Sequence, residues 1–484
     1  MNVHKLLKNP DLIQCGLFID NKWVNDRETF AVNNPSTDEV IASIASATDK
    51  DILDAIDSSN KAFKLWRNVT AKQRGEILHK FYQLIIVNLD DLAIILTVEQ
   101  GKPLAEAKNE IMYGASYVRW YAEEARRIDG YTINANNASQ RIMVNHQPVG
   151  VCAAIMPWNF PNAMLLRKLA PALAAGCTMI AKPASSTPLS TNALAYLANE
   201  AGIPDGVFNI VHGHSGRIGE LLCASETVRK ITFTGSTEIG VWLYQNSANT
   251  MKKLSLELGG NAPLIVFEDA DIEQAVTGIM QSKYRNAGQT CVCSNRIIIH
   301  KNIHGKLLER LTEEVSKLKI GNGLDDGVQI GPLIDKHALT HAKSLIDDAK
   351  AKGAKVIIGG KESDLGFTFF EPTIVDCIDI NVRLFKEEIF APILAIYQFE
   401  NDEEAIKIAN NTEYGLASYI FTQNIKRVYE ISEQLEYGIV GVNTGLISAE
   451  NVPFGGVKMS GLGREGGKSG IYEYLAEKYV CVQL

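Results

Sequence analysis

The chain has 484 residues, of which 46% are hydrophobic and 21% are charged. This composition is that of a globular protein with cores of ordinary size, and the length predicts about three domains. A net charge of -8 argues against the clustered basic surface that nucleic acids or anionic membranes require, so small-molecule chemistry is favoured.

The eight cysteines have no regular spacing and no histidine partners at metal-ligand intervals, which predicts a reducing compartment and no structural zinc. The opening segment, MNVHKLLKNPDLIQCG, has no apolar region typical of a signal peptide. No run reaches the ~18 apolar residues that a membrane-spanning helix needs. We therefore expect a cytoplasmic protein that binds neither nucleic acid nor membrane.

The first part of the chain is predicted to be helical. Between residues 49 and 127 apolar side chains recur at helical spacing, interrupted by the Gly-Lys-Pro turn at residues 101–103. After Gly130 the sequence alternates around an Asn-Asn pair at residues 136–137, which indicates a β-hairpin that projects as an arm.

Short apolar runs then alternate with helical stretches. The runs lie at residues 149–156, 178–181, 207–211 and 230–233, and the helical stretches at residues 162–175, 188–201 and 237–246. This alternation predicts a doubly wound parallel sheet. A second α/β region is predicted from about residue 259 to 456, with strands near residues 264–267, 296–299 and 417–421, and the tail at residues 478–484 has the pattern of a strand.

Two segments carry candidate chemistry. Residues 284–293, YRNAGQTCVC, contain Cys291, and residues 256–263, LELGGNAP, place Glu257 before a Gly-Gly turn. A thiol is a candidate nucleophile and a carboxylate a candidate base. No histidine lies near either residue, which argues against a Cys-His protease and favours a carboxylate that activates water. Taken singly, such a cysteine is more often a small buried residue and such a glutamate a strand end.

Together, the two segments resemble the cysteine and glutamate signatures of the NAD(P)-dependent aldehyde dehydrogenase superfamily, and the resemblance covers essentially the whole chain. It implies an α/β fold with three parts. These are a Rossmann-type cofactor domain at residues 1–127 and 149–258, an α/β catalytic domain at residues 259–459, and a small β oligomerisation arm at residues 128–148 and 460–484. The arm implies a homodimer or homotetramer.

The resemblance also implies roles for the catalytic residues. Cys291 attacks an aldehyde, and Asn159, in the segment PWNFP at residues 157–161, completes an oxyanion hole with the Cys291 backbone N–H. Glu257 then activates the water that hydrolyses the thioester, and no metal is required. On its residue type alone, Asn159 would be a turn residue.

On the adenosine side, the resemblance assigns Gly235 and Ser236, in the segment FTGSTEIG, to the pyrophosphate, although Gly-Ser at a strand-helix junction is more often simple capping. Lys182, in AKPASSTP, is assigned to the ribose or its phosphate. An acidic residue at position 185 would bind a 2′-hydroxyl and repel a 2′-phosphate. Ser185 is neutral and leaves Lys182 free to pair with a phosphate, so NADP is favoured over NAD.

On the nicotinamide side, the segment KEEIFAP at residues 386–392 matches a family motif. By that match Glu388 holds the nicotinamide ribose and Phe390 packs near the ring. Trp158, next to the candidate oxyanion residue, is assigned to the same cofactor site. From its residues alone, KEEIFAP would be an exposed acidic turn followed by a buried aromatic residue.

Longer matches, including LRKLAPALAAG, YGIVGVNTG and PFGGVKMSGLGREG, are most similar to the succinate-semialdehyde dehydrogenase branch of that family. They imply that Arg167, Arg285 and Ser448 bind the distal carboxylate of the substrate. In the alternative interpretation both arginines form surface ion pairs. Glutarate semialdehyde stays open as the substrate, because one methylene gives little discrimination. A thiol esterase, which would need no cofactor, is the more remote alternative.

Cys293 lies two residues after the candidate nucleophile. An oxidised Cys291–Cys293 pair would block catalysis, which makes Cys293 a candidate redox partner. The alternative is a small packing residue, since a disulfide across one intervening residue would be strained and easily reduced.

Overall fold

A computed structural model describes residues 3–377 and 379–484 of the chain. The α-helices are α1 (Asp49–Trp66), α2 (Ala71–Val87), α3 (Leu89–Gln100), α4 (Leu104–Glu124), α5 (Pro161–Ala175), α6 (Pro188–Glu200), α7 (Ser215–Ala224), α8 (Thr237–Ser247), α9 (Ile272–Lys283), α10 (His304–Ser316), α11 (Lys336–Ala351), α12 (Arg383–Lys386), α13 (Asp402–Asn410), α14 (Ile425–Gln434) and α15 (Gly467–Tyr472). The strands are β1 (Leu17–Ile19), β2 (Lys22–Val24), β3 (Thr29–Asn33), β4 (Val40–Ala45), β5 (Tyr131–Ile133), β6 (Gln140–Pro148), β7 (Val151–Ile155), β8 (Thr178–Lys182), β9 (Phe208–Ile210), β10 (Val228–Thr234), β11 (Lys253–Glu257), β12 (Ala262–Val266), β13 (Ser294–His300), β14 (Lys355–Ile358), β15 (Thr373–Asp376), β16 (Ile393–Phe399), β17 (Ala417–Phe421), β18 (Ile439–Val442), β19 (Gly461–Leu462) and β20 (Leu475–Gln483).

The first sheet is doubly wound. Its five central strands are parallel and follow the order β9-β8-β7-β10-β11. The chain starts at β7, moves to one side through β8 and β9, and then returns to the other side through β10 and β11. This is the strand order of a dinucleotide-binding sheet, and it confirms the predicted fold class.

Shorter strands extend both edges of the first sheet. β1 and β2 continue it antiparallel beyond β9, and β19 pairs antiparallel with β11 at the opposite edge. The boundary predicted at residue 460 would assign β19 to the arm, whereas its hydrogen bonds belong to this sheet. The reason is that the chain returns from the second α/β region to the β11 edge of the first sheet before it reaches β20.

The second sheet has the order β14-β15-β16-β13-β12-β17-β18 and is parallel except at β14. The third sheet has the order β20-β6-β5 and contains the predicted hairpin and the predicted tail strand. β20 pairs with β6 along its whole length, from Leu475 opposite Pro148 to Gln483 opposite Gln140. β3 and β4 form a separate antiparallel pair.

The predicted helical region contains α1 to α4, and local signals fix their ends. Thr48 and Asp51 form a reciprocal capping box at the start of α1, and Thr70 and Gln73 form one at the start of α2. Gly101, with φ of 94°, ends α3 in the left-handed conformation that glycine adopts without strain.

Helix α5 lies in the core that joins the first sheet to α2, α3, α4 and α6. Every residue of α5 is buried, including Arg167 and Lys168. Buried charges need partners, so this helix brings a polar cluster into an apolar core. Within the described ranges, no single helix is long and apolar enough to cross a membrane, although α2 and α3, bent by 71° to each other, would meet that length and composition as a pair.

Candidate active site

Two loops leave the first sheet where its strand order reverses. β7 ends shortly before Trp158 and Asn159, and the neighbouring β10 ends just before Gly235 and Ser236. Because the two strands are parallel, their carboxyl ends open on the same crevice, the usual ligand site of doubly wound sheets. The fold therefore brings the candidate oxyanion residue and the candidate pyrophosphate loop to one edge.

The loop before Cys291 has a strained backbone. Asn286 and Ala287 both have φ of 52°, and Gly288 follows with φ of 75°. Left-handed conformations cost free energy in non-glycine residues. A side chain at residue 288 would also collide with the carbonyl of Ala391. Tertiary contacts must hold this turn, and strain of this kind is concentrated at functional sites.

Glu257 is the last residue of β11 and is only 3% exposed. Among the described residues, neither of its carboxyl oxygens has a hydrogen-bond partner. Burial raises the pKa of Glu257 well above its usual range, and the charge of Glu465 raises it further, against the opposing charges of Arg167 and Lys168. A carboxyl group whose pKa is raised in this way is a stronger base than an ordinary carboxylate once it has lost its proton.

Cys291 is half-buried, and burial raises the pKa of its thiol to about 12. The positive charge of Arg167 lowers this pKa, whereas Glu388 and Glu257 raise it. The thiol is therefore protonated in this state, and the predicted thiolate requires a proton acceptor or an additional positive charge nearby.

Asn159 is fixed at both its side chain and its backbone. Its Nδ2 donates a hydrogen bond of 3.0 Å to the carbonyl of Gln289, which lies two residues before Cys291. Its own carbonyl accepts hydrogen bonds from Lys102 Nζ at 2.7 Å and from Asn286 Nδ2 at 3.1 Å. One hydrogen of the Asn159 amide is used in this way, and the second is free to serve an oxyanion.

The candidate adenosine side contains an unneutralised cation. Lys182, at the end of β8, is 4% exposed and donates a hydrogen bond of 2.6 Å to Ser215 Oγ. Within the described part of the chain, no carboxylate lies within ion-pair distance of its ammonium. Burial lowers the pKa of Lys182 to about 8. Ser185 is exposed three residues further on, and Ser236 starts α8 without a side-chain capping hydrogen bond. A buried ammonium and an uncapped helix start both favour a phosphate-bearing ligand.

The candidate nicotinamide side is built against the Gly-Gly turn after Glu257. Gly260 donates its N–H to Glu388 Oε1 at 3.1 Å, and a Cβ at Gly260 would lie 2.5 Å from the Cys291 carbonyl. Burial raises the pKa of Glu388 to about 7. Phe390, with φ of 48°, meets Trp158 edge-to-face at a centroid distance of 5.6 Å. The two aromatic residues predicted for this side are therefore in contact.

The three predicted substrate residues differ in their surroundings. Arg167 is 1% exposed, and its Nε lies 2.5 Å from Glu465 Oε2. It is therefore in a buried ion pair, which differs from the surface ion pair of the alternative interpretation. Arg285 is half-buried above the ring of Phe160 at 5.5 Å, and its Nε has no hydrogen-bond partner among the described residues. Ser448 is half-buried in the loop after β18.

Cys293 is buried, and its Sγ donates to the carbonyl of Lys283 at 3.6 Å. Burial raises the pKa of its thiol, while the charge of Lys283 lowers it. Both Cys291 and Cys293 are free thiols in this structure. The redox role of Cys293 stays a prediction.

Several charged and polar residues of this region escaped prediction from the sequence. Glu465 accepts a hydrogen bond of 2.7 Å from Lys168 Nζ in addition to its contact with Arg167. Tyr113 and Tyr117, on α4, share a hydrogen bond of 2.7 Å between their hydroxyls, and the charge of Arg167 lowers the pKa of Tyr117 against the larger effect of burial. The available signal was the Arg-Lys pair inside an apolar helix, because charges there need buried partners.

The comparisons with known proteins agree with this geometry. Residues 23–480 match the model of the aldehyde dehydrogenase family. A glutarate-semialdehyde dehydrogenase of Pseudomonas aeruginosa is 52% identical over 478 residues, which covers 98% of this chain and 99% of the relative. The NADP(+) succinate-semialdehyde dehydrogenase GabD of Escherichia coli is 50% identical over 480 residues, covering 99% and 100% of the two chains. A crystal structure described as an NADP-dependent enzyme of E. coli superposes with a TM-score of 0.98 at 50% identity, over 99% of this chain and 100% of that one.

The chain belongs to the aldehyde dehydrogenase family. The doubly wound sheet, the cysteine loop and the buried glutamate are thereby placed in an enzyme that acts on small aldehydes.

Proposed function

We propose that this protein oxidises succinate semialdehyde to succinate with reduction of NADP. The observation that carries the proposal is Arg167, a fully buried guanidinium whose charge acts on both Cys291 and Glu257. Relatives named for succinate and glutarate semialdehydes, each about half identical to this chain, support a substrate with a distal carboxylate.

The reaction follows from the residues around Cys291. The thiolate form of Cys291, which has lost its proton to a base, attacks the aldehyde carbon, and the amide of Asn159 stabilises the oxyanion that forms. A bound NADP would supply the hydride acceptor for this carbon, and departure of the hydride would leave Cys291 as a thioester. Glu257 then takes a proton from water, the oxygen of this water attacks the thioester carbon, and the Cys291 thiolate leaves as the acid is formed.

Arg167 has binding capacity that its ion pair does not use. Glu465 lies at Nε, whereas the partner of Nη2 is the thioether sulfur of Met164 at 3.1 Å, a weak acceptor. The ring of Phe454 covers the guanidinium at 4.3 Å. A carboxylate would be a stronger partner for the outer nitrogens than a thioether, and Arg285 offers a second guanidinium.

Replacing Arg285 with methionine is expected to lower kcat/KM for succinate semialdehyde by ~10- to 150-fold and to leave butanal nearly unchanged. The reason is the loss of a charge-assisted hydrogen bond, of the order of 1.5 to 3 kcal/mol, that butanal never makes. Arg285 is a cleaner test than Arg167, whose removal would also leave Glu465 with one counter-ion fewer beside Glu257.

Arg310→Met is the matched control for this test, because Arg310 lines the same surface cavity of about 800 Å³ but pairs with Glu273. Steady-state kinetics with both aldehydes measure the effect. Equal losses on succinate semialdehyde and butanal in Arg285→Met would contradict a carboxylate site at Arg285.

Two alternatives remain distinct from this proposal. Glutarate semialdehyde is one methylene longer than succinate semialdehyde. Values of kcat/KM measured for both semialdehydes with the purified enzyme show which one it prefers. A thiol esterase would use Cys291, Asn159 and Glu257 without a cofactor, so omission of NADP from a turnover assay distinguishes it.

The preference for NADP rests on Lys182 and Ser185. Ser185→Glu is expected to lower the NADP/NAD ratio of kcat/KM by about tenfold or more, since a carboxylate repels a 2′-phosphate and accepts from a 2′-hydroxyl. Ser186→Glu adds the same charge one residue further along the loop and serves as the control. An unchanged ratio in Ser185→Glu would remove Ser185 from the ribose site.

We further propose that the protein is a cytoplasmic homo-oligomer. The β20-β6-β5 sheet exposes large apolar side chains, among them Tyr131, Ile133 and Tyr479, with exposures of 48%, 48% and 61%. These residues lie on β5 and β20, the two outer strands of the sheet, and exposed apolar side chains on outer strands are usually covered by a partner chain. The cytoplasm is proposed because eight cysteines without regular spacing favour a reducing compartment. Sedimentation of the purified protein measures the oligomeric state.

A further inference from the structure

A buried ion pair lies beneath the candidate oxyanion residue. Lys102, in the turn between α3 and α4, is 2% exposed, and Glu110, on α4, is 3% exposed. Their Nζ and Oε2 atoms are 2.6 Å apart. Neither residue belongs to the catalytic, cofactor or substrate groups described above.

The pair holds both ends of the segment that follows β7. Lys102 Nζ donates to the carbonyl of Asn159 at 2.7 Å and lies 3.9 Å from the centre of the Phe160 ring. Glu110 Oε1 accepts from the N–H groups of Asn162 at 3.0 Å and Ala163 at 3.3 Å, in the first turn of α5. The ammonium therefore fixes Asn159, and the carboxylate fixes the helix start behind it.

A second contact from α4 reaches the loop that carries the cysteine. Glu106 Oε2 accepts the backbone N–H of Asn286 at 2.7 Å, where φ is 52°. Asn286 Nδ2 donates in turn to the same Asn159 carbonyl that Lys102 binds, and Asn159 Nδ2 donates to Gln289. One surface of α4 thus supports both loops whose side chains must meet the substrate oxygen and carbon.

Stability alone does not account for this arrangement. Burial lowers the pKa of Lys102 and raises that of Glu110, so each charge is maintained against desolvation by its partner. Apolar residues of similar volume usually stabilise a fold as well as a buried ion pair does. What an apolar pair could not supply is the hydrogen bond to the Asn159 carbonyl.

We propose that Lys102 and Glu110 are positioning residues that hold the amide of Asn159 in the orientation needed to stabilise the oxyanion formed at Cys291. Lys102 acts through the Asn159 backbone and touches no reacting atom. The inference rests on one part of the proposed function, namely the role of Asn159 as the oxyanion donor. It does not depend on the identity of the aldehyde.

A double-mutant cycle between Lys102 and Asn159 tests the proposal. Lys102→Met is expected to lower kcat by about 10- to 100-fold with succinate semialdehyde and with butanal, because the loss of one oxyanion donor costs ~10²- to 10³-fold and a misplaced donor less. The dissociation constant of NADP, measured by fluorescence, should be unchanged. In an Asn159→Ala background the same Lys102→Met change should lower kcat less than about twofold.

Lys230→Met is the matched control, since Lys230 is also a fully buried ammonium but binds Ser255 and Glu473 away from Asn159. Its effect should be equal with and without Asn159. A Lys102→Met effect that is also equal in both backgrounds would overturn the proposal, and so would an effect no larger than that of Lys230→Met.

Removal of one partner from a buried ion pair destabilises the fold, because it leaves the other charge uncompensated. The variant Lys102→Met with Glu110→Met removes both charges together and takes its place in the same cycle, with thermal unfolding as the check on the fold. Full activity of that double variant would also overturn the proposal. Equal turnover of butanal and succinate semialdehyde by the wild-type enzyme would contradict the proposed substrate. The double-mutant cycle measured with butanal would still decide the role of Lys102.

Discussion

Replacing Cys291 with alanine is expected to abolish aldehyde oxidation, with a loss on the order of 10⁴-fold or more in kcat. Every covalent step passes through this sulfur, and the nearby Cys293 cannot substitute for it because it is buried and its Sγ donates to the Lys283 carbonyl. Binding of NADP should persist, because the cofactor contacts proposed for Lys182 and Ser236 do not involve the thiol.

The measurement is the rate of NADPH formation, with NADP binding followed separately by fluorescence. Cys293→Ala is the matched control, since it removes a thiol from the same loop and should retain most of the activity under reducing conditions. Turnover in Cys291→Ala above a trace level would remove Cys291 from the mechanism.

The central elements of the fold could be predicted because each is a continuous pattern in the chain. The apolar run at residues 178–181 forms β8, and the helical spacing at residues 162–175 forms most of α5. The edges of the same sheet could not be predicted in this way. β1 and β2 are three residues long, and β19 is two, so their places depend on partners far along the chain and give no period of their own.

In the candidate site, too, the residues that lie in local sequence motifs could be predicted, and those placed by long-range contacts could not. Cys291, Glu257 and Asn159 stand in recognisable local segments, and the structure brings the loops of all three to one region. The supporting charges have no such segments. The contact between Lys102 and Asn159 joins residues 57 positions apart, and that between Lys168 and Glu465 joins residues 297 positions apart. The protonation of Cys291 also depends on burial, which the sequence around it does not reveal.

Replacing Glu257 with glutamine is expected to leave the first turnover largely intact and to slow the following turnovers by ~10²- to 10⁴-fold. Glutamine matches glutamate in size but cannot take a proton from water, so the thioester should form and then persist. Rapid mixing with NADP and substrate should give a burst of NADPH close to one per active site, followed by a slow steady rate.

The pH dependence of the slow phase gives a second test of Glu257. Its pKa is raised by burial and by Glu465, so the wild-type basic form, and with it the rate of thioester hydrolysis, should increase with pH beyond the range of an ordinary carboxyl group. In Glu257→Gln this rise should disappear. If the burst and the steady rate fall by the same factor, Glu257 also accepts the proton of the Cys291 thiol. The raised pKa of that thiol makes this the specific alternative that the experiment has to exclude.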